Sequence, residues 1–288
     1  MTLPSSTRHS ALIIDGHNLL FACFCGMPDR IRSVTGAPIH AAYGFVGTLL
    51  RMLRRFNPRA VVVCFDAEEP NFRNVLAPSY KANRLPMADD QNPYSQLDDL
   101  KRALAWLDIP WLEIGGVEAD DVIGTVARRL AKAHQVYISS TDRDMYQLIN
   151  ERTRVSSRVC GMDVEYGPNE ILAKYKVRPA QFIDYKTLVG DTSDNIDGVR
   201  GIGPKTAATL LNTFGDISGI LANLGALKPR IATVLRESQD RLVLNKQLVT
   251  IRTDVDNESL QRNFLYSARR DTNSLTARTV MRELQLMT

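Results

Sequence analysis

Three carboxylates crowd into four positions of the stretch GGVEADDVIG (115–124): Glu118, Asp120 and Asp121. Like charges that close raise one another's pKa unless a cation neutralises them. Other acids share a second pattern, each ending a short apolar run. Asp15 closes ALIID (11–15), Asp66 closes AVVVCFD (60–66), and Asp142, with Asp144 just beyond, closes QVYISSTD (135–142). Any one of them has a bland use, because Asp at a strand end caps the next helix and acids in a first helical turn suit the helix dipole. Together, Asp15, Asp66, Glu118, Asp120, Asp121, Asp142 and Asp144 should converge on one edge of one sheet, which calls for divalent cations. Donors that are all oxygen favour Mg²⁺ or Mn²⁺ over zinc. The surplus of carboxylates is enough for two ions, the arrangement that stabilises attacking and leaving oxygens in phosphoryl chemistry.

A further acidic element, GDTSDN (190–195), sits at the end of an expected helix, where one helical turn would aim Asp191 and Asp194 the same way to close the site from below. Directly after it, GVRGIGPKTAATLL (198–211) combines Gly198, Gly201 and Gly203 with Pro204 at a first helical position, then Lys205 and Thr206. Glycines let a backbone approach a phosphate closely, and a helix N-terminus offers unpaired N–H groups to an anion. This stretch, Arg200 included, reads as a helix-hairpin-helix over about 186–213. Cations gather elsewhere: Arg73, Lys81 and Arg84 fall between Asn71 and Arg84 with no acid among them, interleaved with Phe72 and Tyr80. Beside a metal cleft such a segment makes a phosphate clamp with aromatic faces.

The elements that must position these groups follow from apolar patterning. The three β-branched runs are separated by helix-like segments at 40–56, 93–107 and 118–133, which predicts a parallel α/β sheet with its ligand edge at the carboxyl ends of the strands. Beyond about residue 168 the strand signals fade, and PAQFIDYKTLVGD, PKTAATLLNTFG and IATVLRESQDRLVLNKQLVTI read as helices. Between them, 74–93 is rich in Pro and Asn and reads as a crossover above the edge. The expected organisation is a loose leader (1–10), an α/β unit (11–167) with the crossover segment at about 71–93, and a helical unit (168–288).

Composition narrows the function classes. At 288 residues and 44% hydrophobic content the chain can bury a real core, and no apolar run approaches the ~18 residues that span a bilayer. A cytoplasmic protein with reduced core thiols is expected, since Cys23, Cys25, Cys64 and Cys160 lack metal spacing. A net charge of +4 leans toward a polyanionic partner. There is no G-x-S-x-G elbow and no Walker-type phosphate loop, and none of His9, His17, His40 or His134 lies near a plausible partner serine, which sets aside those hydrolases and nucleotidases.

The motifs IIDGHNLL, CFDAEEPNFR, SYKANR, GVEADDVIG, SSTDRDMYQL, GDTSDN and GVRGIGPKTA, in this order, resemble the 5′ nuclease (flap endonuclease) family, as found at the N-terminus of bacterial DNA polymerase I; the similarity runs from about residue 11 to 255. The resemblance implies a PIN-like domain of parallel sheet flanked by helices, then a helical region with a helix-hairpin-helix. It implies metal ligation by Asp15, Asp66, Glu118, Asp120, Asp121, Asp142, Asp144, Asp191 and Asp194. Arg73, Tyr80, Lys81 and Arg84 would fall on the arch and its base, with Lys81 nearest the scissile phosphate. The expected reaction is two-metal-ion hydrolysis of DNA at 5′ flaps, nicks and 5′ ends, by a monomer acting in replication and repair. Whether K⁺ also sits at the hairpin is left open. Two departures stand out: Ala22 where the family carries an arginine near the substrate phosphate, and Arg143 where lysine is common. A PIN-type ribonuclease and a DNA-binding scaffold weakened in catalysis are the rival readings.

Overall fold

The computed structural model describes residues 9–84, 88, 92–159, 161–261, 264 and 272–288. Most of the expected leader, residues 85–87 and 89–91 of the expected arch, and Cys160 lie outside the described residues. The chain runs β1 (Ser10–Asp15), α1 (Gly16–Gly26), α2 (His40–Phe56), β2 (Ala60–Phe65), α3 (Phe72–Leu76), α4 (Leu97–Trp106), β3 (Trp111–Glu113), α5 (Ala119–Leu130), β4 (Gln135–Ser139), β5 (Thr153–Val159) and β6 (Met162–Tyr166). It continues through α6 (Pro168–Tyr175), α7 (Phe182–Val189), β7 (Gly190–Asp191), β8 (Ile196–Asp197), α8 (Pro204–Phe214), α9 (Ile217–Ala222), α10 (Pro229–Glu237), α11 (Gln239–Val249) and α12 (Ala277–Glu283).

The main sheet has the order β3-β2-β1-β4-β5-β6, parallel from β3 through β5. The expected parallel sheet is corrected at one edge, where β6 runs antiparallel to β5. That hairpin escaped the sequence reading because β5 (TRVSSRV) mixes polar and apolar residues without a continuous apolar run. The β1 and β2 runs are apolar because both faces of the sheet are covered. Ile13, Val62 and Ile138 point into a core shared with α5 and the helical half, while Leu12, Ile14, Val61 and Val63 point into a second core with α1, α2 and α4.

The expected helical unit of 168–288 does not close on itself. Val199, Ile202, Leu211 and Leu235 join the same core as β1 and β4, and Val280 and Met281 of α12 join the core formed by α2 and β2. The long helix expected at 231–251 is broken at Ser238 into α10 and α11. Cys23 and Cys64 are buried as expected, but Cys25 is exposed. Among the described residues no helix is long and apolar enough to cross a membrane.

Gly190 joins α7 to the small β7–β8 hairpin at φ 80°, and a Cβ there would meet Gly198 N at 2.3 Å and Ile196 O at 2.5 Å. Gly215 also has positive φ, 88°, but open space around it. Gly190→Ala should therefore lose more stability in urea denaturation than Gly215→Ala, whose cost is backbone strain alone, about 1–3 kcal/mol. Equal losses would show that the tight crossing at Gly190 does not constrain the fold.

Candidate metal centre and nucleic-acid interface

The carboxyl ends of β1, β2 and β4 lie side by side, and each delivers an acid with its orientation fixed. Asp15 caps α1, accepting the N–H of Asn18 at 3.2 Å and the Ser140 hydroxyl at 2.8 Å. Asp66 accepts the N–H of Ala119 at 2.8 Å, and its own N–H donates to His17 Nδ1 at 3.0 Å. Asp142 caps the short 3₁₀ turn 143–148 by accepting the N–H of Asp144 at 2.8 Å. Asp120 stands in the first turn of α5.

These acids share one electrostatic site. Burial pushes Asp15 from its ordinary 3.8 up to about 7, and the charges of Asp66 and Asp142 add to the rise against the Ser140 and Asn18 hydrogen bonds. Asp120 is driven well above the carboxylate range by burial, then by Asp142 and Asp15, with Lys81 opposing. Asp66 differs. Loss of water pushes it upward, but the adjoining His17 ring and the hydrogen bond from the Ala119 N–H hold it below the usual value. A cluster of oxygen donors that resist ionisation fits a divalent cation, which would favour the charged form of each.

A second group faces it. Asp144, Asp191 and Asp194 each bring one carboxylate oxygen within 4.8 Å of the others. They meet through the β7–β8 hairpin rather than through the expected helical turn, since Asp191 ends β7 and Asp194 lies in the turn before β8. Lys186 of α7, which is buried, donates to both Asp144 and Asp191. Burial raises Asp191, but Lys186 and the Ser193 hydroxyl and N–H overcome it and hold the acid low. The sequence reading missed Lys186 and the contact of His17 with Asp66. The available signals were a lone lysine in the apolar helix FIDYKTLV and a histidine two residues after Asp15.

The basic segment docks on this second group. Tyr80 offers its hydroxyl to Glu118 at 3.2 Å and Asp194 at 3.3 Å, Lys81 Nζ donates to Glu118 at 2.9 Å, and Arg84 pairs with Asp194 at 2.8 Å. Desolvation works against the Lys81 charge, yet Glu118, Asp194 and Asp120 raise its pKa above the ordinary value.

Two expectations need correction. Arg73 does not face a substrate: it is 2% exposed and spends its N–H groups on Asp121, Glu118 and the carbonyls of Leu248 and Thr250. Asp121, 1% exposed, accepts both arms of that guanidinium and the N–H of Arg252, so its oxygens are turned from the cleft. The pair is a buried strut tying α3, α5 and the segment after α11 together. Glu118 is also heavily engaged, accepting from Asn71, Arg73, Tyr80 and Lys81.

A cleft of about 570 Å³, bordered by Asp142, Lys186, Asp191, Tyr175 and Tyr185, extends to Pro204 at the start of α8. There the expected hairpin lies between α7 and α8. Val199 and Ile202 anchor it in the core, while Arg200, Gly201, Gly203 and Lys205 are exposed, with Gly198 and Thr206 partly so. Gly201 takes φ 81°, and Gly203 caps α8 without a side chain, leaving its first N–H groups free for an anion. Ala22 lies on the exposed side of α1, and Arg143 is exposed at the cleft border.

Residues 10–176 match the 5′-3′ exonuclease N-terminal resolvase-like domain, and residues 177–271 match the 5′-3′ exonuclease C-terminal SAM fold. The chain belongs to the 5′-3′ exonuclease family. It is 37% identical over 246 residues to the thermostable DNA polymerase I of Thermus thermophilus and 34% identical over 254 residues to DNA polymerase I of Bacillus subtilis. These matches cover 85% and 86% of this chain but only 29% and 28% of the polymerases, so the chain spans less than a third of their length. Its fold resembles the T5 D15 protein co-crystallised with metal ions, at TM-score 0.72 and 26% identity, covering 85% of this chain and 90% of that one. A complex of T5 D15 flap endonuclease with DNA and metal ions gives TM-score 0.72 at 25% identity, with the same coverage. The catalytic core of Rad2, at TM-score 0.61 and 15% identity over 96% of this chain and 88% of that one, shares the fold. The α/β domain followed by a helical region is thus the architecture of this family.

Removing the buried strut should be costly. Arg73→Met leaves Asp121 without its cation and should lower the free energy of unfolding by roughly 3–5 kcal/mol in urea titrations; a loss under 1 kcal/mol would contradict the strut. A second expectation concerns pH. Asp15 binds its proton more tightly when folded, so its contribution favours the fold at low pH and is lost as pH rises from 3.8 to about 7. In EDTA at pH 8, Asp120→Asn should raise Tm, and Mg²⁺ should raise the wild-type Tm by about 2 °C or more beyond its effect at pH 5. A Mg²⁺ shift independent of pH would contradict the reading of the cluster.

Proposed function

We propose that this chain is a structure-specific 5′ nuclease that hydrolyses DNA phosphodiesters at 5′ flaps, nicks and 5′ ends with two divalent ions, Mg²⁺ or Mn²⁺. The observation that carries the reading is a cleft bordered by one acid from each carboxylate group, Asp142 and Asp191, that reaches Pro204 at the start of α8, directly after the exposed glycine hairpin. Asp15, Asp66, Asp120 and Asp142 would hold one ion, with Glu118 beside it, and Asp144, Asp191 and Asp194 the second. When bound, the ions supply charge stabilisation at the phosphoryl oxygens and a more acidic attacking water.

The chain's own groups do the rest. Ser140 and Asn18 orient Asp15, and the Ala119 N–H and His17 orient Asp66, so the donor oxygens are preorganised. Lys81 and Arg84 place cations where charge develops in the transition state, at the cost of loosening their present contacts with Glu118 and Asp194. Gly198, Arg200, Gly201, Gly203, Lys205 and Thr206 would hold duplex backbone by its phosphates, giving selectivity by shape rather than by sequence. Products would carry a 5′-phosphate and a 3′-hydroxyl. Action as a monomer in the cytoplasm, in DNA replication and repair, K⁺ at the hairpin and a functional division near residue 168 belong to the same proposal.

The test is cleavage of 5′-flap, nicked and single-stranded DNA, with matched RNA strands, in Mg²⁺ and in EDTA. Flap DNA should be cut in Mg²⁺ only, and not by Asp142→Ala; RNA cut in preference to DNA, or DNA cut undiminished in EDTA, would overturn the assignment. Lys205→Ala should weaken DNA binding about equally across sequences and reduce the slope of log affinity against log salt by about 1, measured by anisotropy without metal. An unchanged slope would remove Lys205 from the grip.

A further inference from the structure

Behind the carboxylate cluster, on the α2 side of the sheet, lies a second pocket of about 70 Å³. Its cations are Arg51, Arg55 and Arg158, and its lining also includes Ala22, Thr48 and Ser157. The volume exceeds twice the ~30 Å³ share of one water, so it can admit a phosphate-sized anion. The wall toward the cleft is shared: Ser140 Oγ donates to Asp15 at 2.8 Å and accepts the N–H of Asp142 at 3.0 Å, while the Thr141 N–H and hydroxyl both reach Asn18 at 3.0 Å. Whatever occupies the pocket is one hydrogen-bonded layer from two acids of the metal cluster.

The charges are out of balance. Arg55 and Arg158 share Asp163, at 2.9 Å and 3.3 Å, and Arg55 also pairs with Glu165. Arg51 forms no salt bridge among the described residues, and its guanidinium donates to the Thr48 hydroxyl at 3.4 Å. Partial burial, and then the neighbouring Arg158, press its pKa below the ordinary value, which an anion would relieve. Ala22 leaves this volume open, since the longer side chain of an arginine on that turn of α1 would enter it.

We propose that this pocket is a phosphate subsite, in which Arg51, with Arg158 and the hydroxyls of Thr48 and Ser157, receives the phosphodiester of the cleaved strand next to the scissile one. Arg51 then supplies from α2 the charge that Ala22 does not supply from α1. This rests on the nuclease reading above and adds to it the place where a second substrate phosphate is held. The bidentate geometry of guanidinium suits a phosphodiester, and Arg51 has two faces of its fork uncommitted to carboxylates.

The test uses single-turnover cleavage of a 5′-flap DNA in Mg²⁺ by wild type, Arg51→Gln, Arg51→Lys, Ala22→Arg and the double variant Ala22→Arg/Arg51→Gln, with folding checked by circular dichroism. Arg51→Gln should slow cleavage by roughly 10- to 100-fold, the range of one charge-assisted hydrogen bond, and Arg51→Lys should recover part of it. In the Arg51→Gln background, Ala22→Arg should restore most of the loss. A neutral methylphosphonate on one side of the scissile phosphate should slow wild type and leave Arg51→Gln unaffected. Equal slowing of both by methylphosphonates on either side, or an Arg51→Gln rate equal to wild type, overturns the subsite. Millimolar inorganic phosphate protecting wild type against heat while methylphosphonates have no effect would show a site for free phosphate and also overturn it. A wild type that cleaves no DNA sinks the nuclease reading and this one with it; a cleaving wild type with an indifferent Arg51→Gln sinks this one alone.

Discussion

Mutual repulsion among carboxylates is the constraint around which the rest of the molecule is arranged. Burial first, and then that repulsion, push Asp15 and Asp120 toward protonation, and the protein answers with cations built into its own fold: Lys81 beside Glu118, Lys186 between Asp144 and Asp191, Arg84 on Asp194. Each of these comes from an element outside the main sheet. The basic segment and the β7–β8 hairpin are therefore held against the sheet edge by the same charges that a bound ion or a phosphate would compete for. Such a site gives up stability in order to be ready for a ligand.

Arg73 plays the opposite part. Its charge is fully used by Asp121, Glu118 and two carbonyls, and none of it is available to a substrate. A buried pair of this kind adds little net stability over an apolar substitute but fixes geometry, because either partner alone would be a buried unpaired charge. It sets the height of the basic segment above α5, and so the reach of Lys81. The cations of segment 73–84 thus divide into a fixed support and groups that can exchange partners.

Much of this was legible in the sequence, for identifiable reasons. The ends of β1, β2 and β4 showed because strands buried on both faces read as apolar runs, and an acid after each run marks the ligand edge. The glycine hairpin showed because positive φ and close backbone approach restrict residue choice. What could not be read depended on tertiary partners. Nothing local separates Arg73 from Lys81, or Asp121 from Asp120; what decides is that Arg73 and Asp121 meet the segment around Leu248 and Arg252, far along the chain. Lys186 was hidden for the same reason, since a lysine in an apolar helix has meaning only once Asp144 is brought beside it. The antiparallel β6 and the return of α12 to the first core carry no period strong enough to announce them.

The core shared by the sheet and the helical half has a geometric consequence. Val199, Ile202 and Leu211 behind the hairpin belong to the same packed interior as Ile13 and Val136 beneath the carboxylates. Close-packed interiors deform little, so the span from the hairpin to the cluster acts as a fixed ruler. In a nuclease that grips duplex at one end of the ruler and cuts at the other, the distance of the cut from the junction is a length stored in side-chain volumes of the interior, and repacking there would move the cut along the strand while leaving the cutting groups untouched.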